Sequence, residues 1–357
     1  MEIQSRNVCA ALALGLEHLL QVGKDEESRA GPVRVAPGPV MTIYRRPWER
    51  VLFSPVRDAH PFFHLAESMW MLAGRNDVEF LNKFVHDFGI RFSEDGILKG
   101  SYGHRWRTHF GYDQLKMIID RLKQDPQDRR VVLSMWDPHQ DLMNMFAQSH
   151  LQLDGRKDIP CNTHVYFRIR DGQLDMTVCC RSNDIIWGAY GANAVHFSFL
   201  QEYMAARLGI GIGLYYQVSN NYHAYVSEIK KLEEKAAERL LYFALFDDRY
   251  VGREGLTTTR LVDDPDTFDG ELKLVLAGTR RKMNNRFLSD TVAHALDAHK
   301  AYKSMYSPDQ HLSEIAADDW RTACTEWINR RTQSQAIRDA AVKSPDTTPG
   351  HISENRL

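Results

Sequence analysis

The chain has 357 residues, 43% hydrophobic and 26% charged, with 22 Gly, 13 Pro and 5 Cys. That is enough to bury a large core, and it excludes disordered, collagen-like and disulfide-scaffold classes. The 45 Lys+Arg against 47 Asp+Glu leave a formal charge of -2, so no global basic field draws the protein to nucleic acid or anionic membrane, and any anion must be held by a local cluster. Cysteines at 9, 161, 179, 180 and 324 are odd in number and irregularly spaced, as reduced cytosolic thiols are. With no basic-apolar leader and no run of about 20 apolar residues, a cytoplasmic protein without membrane or nucleic-acid partners is expected.

In chain order, Val8, Leu12, Leu16 and Leu19 predict a helix over 7–22, stopped by the polar run from Gly23. Val40, Thr42, Ile43 and Tyr44 predict a strand between irregular loops. Pro61 suits a first helical turn, and Phe62, Leu65, Met69, Trp70 and Leu72 predict a buried helix ending at Gly74. Leu115, Ile118, Ile119 and Leu122 predict a helix over 113–123, followed by a turn and a buried strand at 131–136. Segments 163–170 and 174–180 around Asp171-Gly172-Gln173 predict a hairpin. A long apolar helix over 194–208, closed by Gly209, leads to a strand at 214–218. Residues 226–246 and 286–340 read as charged helices, the second carrying a Trp320, Ala323, Trp327 and Ile328 stripe, and 343–357 as a polar tail that frays.

The densest group of reactive side chains begins at Ile159-Pro160-Cys161-Asn162, where a thiol can sit at the lip of a cleft. A lone cysteine is more often a small buried hydrophobe than a nucleophile, so its company decides. Cys180-Arg181-Ser182-Asn183-Asp184 follow, then Gly188, Asn193 at the head of the long helix, and Asn220-Asn221-Tyr222-His223-Ala224-Tyr225. Upstream stand Tyr102-Gly103-His104-Arg105-Trp106-Arg107 and Asp128-Arg129-Arg130. An arginine fork and a serine hydroxyl suit phosphate oxygens, which makes Arg181 and Ser182 candidate phosphate ligands. Any single arginine is more often a solvated ion pair worth about 1 kcal/mol or less.

Three rival patterns carry less weight. His60, His64 and Glu67 fall at i, i+4 and i+7, a plausible metal-ligand spacing and equally the start of a capped buried helix. Cys161, His223 and Asn221 offer a Cys-His hydrolase set that leaves the arginines unexplained. Gly209-Ile210-Gly211-Ile212-Gly213 follows a helix instead of a strand, the wrong order for a dinucleotide loop. Adjacent Cys179 and Cys180 in a strand point to opposite faces, against a shared redox or metal role.

The order and spacing of the motifs from about Arg29 to Tyr225 resemble the thymidylate synthase and deoxypyrimidylate hydroxymethylase superfamily. The resemblance implies a mixed, twisted α/β sheet packed with helices, a catalytic domain over 1–250, a mostly helical extension over 251–342, and a homodimer. It implies Cys161 as the thiolate that adds to C6 of a pyrimidine nucleotide, with Arg181 as the cation that lowers its pKa, Glu67 managing protons at O4 and Asn193 reading N3 and O4. Arg29, Arg181 and Ser182 match phosphate ligands, Arg129 and Arg130 the pair donated across the dimer, and His223 and Tyr225 the binders of the sugar hydroxyl. The cosubstrate implied is 5,10-methylenetetrahydrofolate, with Trp106, Asp184 and Gly188 on its side of the site and no metal. An amide at 193 suits uracil where a carboxyl group suits cytosine, so dUMP is expected over dCMP or CMP.

The chain departs from the methylating pattern. Asn162 replaces a His, Cys180 a Gln and His109 a second Trp, the stretch from Arg181 to Asn193 is one residue longer, and no apolar closing tail is recognisable before Leu357. Admitting water selects hydroxymethyl over methyl, so hydroxymethylation, with His109 as the base for water, is expected ahead of thymidylate synthesis. A binding protein that has lost catalysis is the alternative of another class, and the retained Cys161, Glu67 and Asn193 argue against it.

Overall fold

The computed structural model describes residues 1–93, 95–150, 158–237 and 239–343. Most of the expected tail, 344–357, lies outside them.

An eight-stranded mixed sheet forms the scaffold. Its strands are β1 (Glu2–Ser5), β2 (Lys24–Glu26), β3 (Val33–Val35), β4 (Val40–Tyr44), β5 (Val132–Ser134), β6 (Asn162–Arg170), β7 (Gln173–Asp184) and β8 (Gly211–Tyr225). The main order is β1-β4-β8-β7-β6-β5, with β3 also on β8 and β2 on β3. Parallel neighbours need a crossover, and helices Val8–Val22 and Asn193–Leu208 supply it for β1 to β4 and β7 to β8. The antiparallel β6–β7 hairpin turns on Asp171 and Gly172, with φ of 48° and 69°. Two left-handed residues give the turn a twist that matches the strands it joins.

Helix Pro61–Leu72 is buried nearly all round, capped by His60, whose Nδ1 accepts from the Phe63 amide at 3.2 Å. The short helix Tyr102–Arg107 lies against it because Gly103 has no side chain; a Cβ there would stand 2.0 Å from the Met71 carbonyl oxygen. Helix Asn193–Leu208 ends on Gly209 in the left-handed conformation, φ 71°, so the glycines after it are a helix stop and turn.

Opposite residues Val132, Tyr166, Thr177, Tyr216 and Ile43 form one cross-strand row on the far face of the sheet. Val132 and Tyr166 are 41% and 44% exposed, so this face stands open in the single chain.

The C-terminal helices share the main core. Trp320 stacks on Phe199 of helix Asn193–Leu208 and Trp327 on His60, with centroids 6.0 and 4.1 Å apart. Arg330 and Arg331 both grip Asp58. The region expected as helical over 226–246 is two helices, Val226–Ala236 and Leu241–Leu245, parted at Ala237, φ 53°. That expected over 286–340 is also divided, with helices Ala293–Lys303, Asp309–Glu314 and Asp318–Lys343 separated at Pro308 and Ile315. Strand β8 runs far beyond the expected 214–218 because β4 and β3 pair with it in succession, carrying the strand to Tyr225.

Candidate active site

A β-bulge between Asn162 and His164 bends the start of β6 and presents Cys161 at its head. Arg181, from the neighbouring strand, donates through Nε to the Pro160 carbonyl at 2.9 Å and through Nη2 to that of Ile159 at 3.2 Å. Anchored to the backbone that leads into Cys161, its guanidinium stands 3.9 Å from Sγ. Burial pushes the Cys161 thiol above its ordinary range, Arg181 pulls it down and Asp158 pushes it up. Arg181 thus acts in the expected direction, and in the single chain desolvation outweighs this one cation.

The parallel register of β7 and β8 sets Ser182 beside Asn221 and Asp184 beside His223. His223 and Tyr225 are 5.8 Å apart. Burial raises the Tyr225 pKa, the charges of Asp184 and Cys161 add to it, and Arg29 opposes it. One electrostatic neighbourhood thus joins Arg29, Cys161, Asp184 and Tyr225. Arg29 is exposed in the loop before β3.

A chain of amides crosses the floor of the site. Asn162 Nδ2 donates to Asn193 Oδ1 at 3.0 Å, Asn193 Nδ2 to Asn183 Oδ1 at 2.9 Å, and Asn183 Nδ2 to Ser219 Oγ at 2.9 Å. This fixes which side of Asn193 is donor and which acceptor. Gly188 makes room for it, since a Cβ there would lie 2.6 Å from Asn183 Oδ1 and 3.2 Å from Asn193 Nδ2. The segment before Asn193, where one residue more than the family spacing is expected, winds irregularly at Tyr190 and Gly191. Tyr190 is swallowed by the core, its hydroxyl 2.8 Å from that of Tyr222 and 3.0 Å from Thr42 Oγ1.

Asp184 caps that segment, one oxygen accepting from the amides of Ile186 and Trp187 at 2.9 and 2.6 Å while buried Oδ2 has no partner. Burial raises the Asp184 pKa, against the Trp187 amide and His223. Beside it the Trp187 ring is 54% exposed and carries the Arg57 guanidinium 4.5 Å from its centroid. Burial lowers the Arg57 pKa to about 10.

Glu67 projects from its buried helix to within 3.1 Å of His196 Nε2, though neither ring nitrogen of His196 makes a well-directed hydrogen bond. Burial holds neighbouring His64 well below the usual imidazole pKa. His60 turns away to stack on Trp327, while His64 and Glu67 both face His196, so His60 is parted from the other two residues of the rival metal pattern. His109 Nε2 is 2.8 Å from Asp137 Oδ2, and His104 and Phe110 flank the ring.

Trp106, expected on the cosubstrate side, is fully buried in this chain, where it meets Phe197 edge to face and its indole Nε1 has no hydrogen-bond partner. Arg129 and Arg130 stand apart from this cluster, before β5. Arg130 is held by Asp128 at 2.8 Å, and Arg129 lines a hollow with Tyr166, Arg168, Arg170 and Tyr216 on the open side of the sheet.

Sequence reasoning missed Asn183, Ser219, His196, Arg57 and Trp187, and left Tyr102 without a role. Tyr102 accepts the Asn162 amide hydrogen bond at 3.2 Å, and burial with the nearby charge of Cys161 raises its pKa well above the usual phenol value. The i, i+3 spacing of Asn193 and His196 was a signal, since it puts both on one helix face.

The thymidylate synthase family model matches residues 17–244, well over half the chain. The chain belongs to the thymidylate synthase family. It is similar to a deoxyuridylate hydroxymethyltransferase of Pseudomonas phage M6, 44% identical over 351 residues, 95% of this chain and 96% of that protein. The likeness therefore includes the C-terminal third that the family model leaves out. A protein of the same name from Bacillus phage SP01 is 38% identical over 53% of this chain and 50% of its own length. A putative thymidylate synthase of Methanothermobacter thermautotrophicus is 37% identical over 38% of this chain and 54% of its own length. As a member of this family the chain is a one-carbon transferase, the class expected from its motifs. No helix among the described residues is long and apolar enough to cross a membrane.

Proposed function

We propose that this transferase adds a hydroxymethyl group to C5 of dUMP. The observation that carries the reading is the clamped amide of Asn193, held between Asn162 and Asn183 within the cluster that contains Cys161 and Arg181. Arg29, Arg181 and Ser182 bind the phosphate, and His223 and Tyr225 the sugar hydroxyl. Asn193 then reads the uracil edge with a donor and an acceptor whose sides are already set.

Cys161 attacks C6 as thiolate. Its free-state pKa is raised by burial, so its activation belongs to the complex, where Arg181 is the fixed cation. Charge building on O4 falls on Asn193 and on Glu67 with its His196 partner, groups positioned before the reaction begins. 5,10-Methylenetetrahydrofolate supplies the carbon. The orphaned Asp184 Oδ2 and the half-exposed Trp187 face under Arg57 fit a planar, anionic molecule with ring N–H groups, and we assign it to Asp184, Gly188, Trp187 and Arg57. A carboxylate-held imidazole at His109 suits the delivery of water to the C5 methylene.

The open sheet face, with its apolar row through Val132, Tyr166 and Tyr216, is assigned to a second copy of the chain, with Arg129 and Arg130 reaching the partner's phosphate site. A mixture of the Arg129→Ala, Arg130→Ala double variant with Cys161→Ala tests the shared site, since verified heterodimers then regain activity.

The deciding experiment incubates the enzyme with dUMP and methylene-tetrahydrofolate, weighs the nucleotide and identifies the folate. 5-Hydroxymethyl-dUMP with tetrahydrofolate supports the reading; dTMP with stoichiometric dihydrofolate replaces it with methylation. No adduct with 5-fluoro-dUMP and methylene-tetrahydrofolate would reduce the chain to a binder.

A further inference from the structure

His294, in the first turn of helix Ala293–Lys303, faces His311 and Glu314 of the neighbouring helix Asp309–Glu314. Their ligand atoms, Nδ1 of each histidine and one carboxylate oxygen, all lie within 4.8 Å of one another, the one such group of three among the described residues. Glu314 Oε2 is 3.0 Å from His294 Nδ1 and 3.7 Å from His311 Nδ1. Tetrahedral zinc with bonds of about 2.0–2.1 Å sets its ligands roughly 3.3 Å apart, so both separations bracket what an ion between them requires.

The two imidazoles add an independent observation. Both Nδ1 atoms are buried, and neither has a hydrogen-bond partner, although the carboxylate lies between them. A buried ring nitrogen is normally satisfied, and here both lie close to Glu314 Oε2 without bonding to it. The other carboxylate oxygen, Oε1, accepts from Gln310 Nε2 at 3.2 Å, the kind of outer contact that orients a metal-bound carboxylate.

The backbone around the group is pinned from both sides. The Ala316 amide donates to the Asp290 carbonyl at 2.8 Å, and that of Ala317 to Thr291 Oγ1 at 3.2 Å. Four basic residues, Arg280, Arg281, Lys282 and Arg286, share a hollow with His294 and Asp290; Arg280 is neutralised by Asp297 through a two-pronged contact of 2.6 and 2.9 Å, and the carboxylate of Glu314 offsets the remaining positive charge at the ligand atoms.

We propose that His294, His311 and Glu314 form a binding site for a borderline transition ion, Zn²⁺ by chemistry, with water completing the shell. Two imidazoles and one carboxylate suit zinc and disfavour Ca²⁺ and Mg²⁺, which take oxygen ligands. The ion is structural. It clips the two helices immediately before helix Asp318–Lys343, whose Trp327 packs on the helix that carries Glu67, so its binding reaches the active site through packing alone.

The test uses the full chain, stripped with a chelator and titrated with Zn²⁺ against a chromophoric competitor, beside His294→Gln, His311→Gln and Cys161→Ser variants. Circular dichroism checks that each is folded. One equivalent is expected in the parent and in Cys161→Ser, with affinity lowered at least roughly tenfold in either histidine variant. Co²⁺ should give the visible bands of a four-coordinate N/O site in the parent and lose them in both. Zinc binding unchanged by both histidine variants, binding lost only with Cys161→Ser, or no binding by the folded parent overturns the site. If a histidine variant fails to fold, Glu314→Gln takes its place under the same criteria.

Discussion

Glu67 and His196 meet across two buried helices, a carboxylate oxygen 3.1 Å from Nε2. Asn193 lies three residues before His196 on the same helix, so the residue we propose to read the base and the one that faces the proposed proton-handling carboxylate move as one rigid unit. Removing the imidazole leaves Glu67 buried beside a cavity with its nearest polar neighbour gone, at about 1–3 kcal/mol for a buried polar group left unsatisfied. His196→Ala should therefore lower kcat by roughly ten- to a hundredfold with little change in KM for dUMP, and His196→Gln should recover part of it. Steady-state kinetics check this; a loss confined to KM would mean that His196 serves binding instead.

Base choice follows from the amide chain. Asn193→Asp keeps the acceptor that Asn162 uses but turns the contact with Asn183 Oδ1 into two opposed oxygens. Asn183 can relieve that by a flip, since Ser219 is able to donate as well as accept. The variant should stay folded and shift the ratio of kcat/KM values from dUMP toward dCMP by on the order of a hundredfold. Unchanged preference would show that Asn193 does not touch the ring.

Gly188→Ala tests the same chain without changing any polar group. The added methyl lies 2.6 Å from Asn183 Oδ1, so the amides must part. Activity with dUMP should fall by at least roughly tenfold, while thermal stability changes by about 1–3 kcal/mol, the range for overpacking. Full activity would free Asn193 from dependence on Asn183.

What the sequence revealed of this site was local. Arg181, Ser182, Asp184 and Asn193 are legible because one strand and the head of one helix carry them within a short stretch, whereas His223 and Tyr225 are legible only through the His-x-Tyr motif of the family resemblance, since the strand that carries them was expected to end at 218. Asn183, Ser219 and His196 were illegible because each acts through a partner on another element, and no spacing within the chain reports β7–β8 register. The burial of Trp106 was illegible for a related reason: its place in the motif is clear, but which side of a six-residue helix faces the core depends on Gly103 against Met71. In the fold, the hairpin turn and the buried Glu67 helix were strong local signals. The length of β8 was not, because it depends on two remote strands arriving in sequence.

Acid should loosen the C-terminal helix. Burial holds His60 and His64 well below the ordinary imidazole pKa and His299, stacked on Phe84, at about 4. The folded state thus favours neutral rings, and the stability they confer is present above the unfolded value of about 6.5 and lost as pH falls from there toward 4. His299 alone accounts for about 3 kcal/mol over that window. Because Trp327 packs on His60, its fluorescence should report the loss. In urea unfolding at a series of pH values, His299→Phe should flatten the slope between pH 6.5 and 4; an unchanged slope would place the acid sensitivity elsewhere.

The route of water is the point on which the product turns. Asp137 Oδ1 is occupied by the amides of His139 and Gln140, at 3.0 and 3.3 Å, leaving Oδ2 to His109 Nε2. Burial pushes the Asp137 carboxyl up, but His109 and the Gln140 amide pull it further down, so its pKa lies below the ordinary value. A charged Asp137 holds the proton on Nε2 and leaves Nδ1 as the basic nitrogen, the arrangement a general base needs. His109→Phe keeps the ring volume and removes the base; hydroxymethyl product should fall by roughly a hundredfold, while the covalent adduct with 5-fluoro-dUMP and methylene-tetrahydrofolate still forms. Asp137→Asn should lose product as well, because an amide has a single acceptor oxygen: if that oxygen keeps capping the turn, the NH2 faces Nε2, which must then accept and leave the proton on Nδ1. Equal product from His109→Phe and the parent would remove His109 from the chemistry and leave water activation to Glu67 and His196.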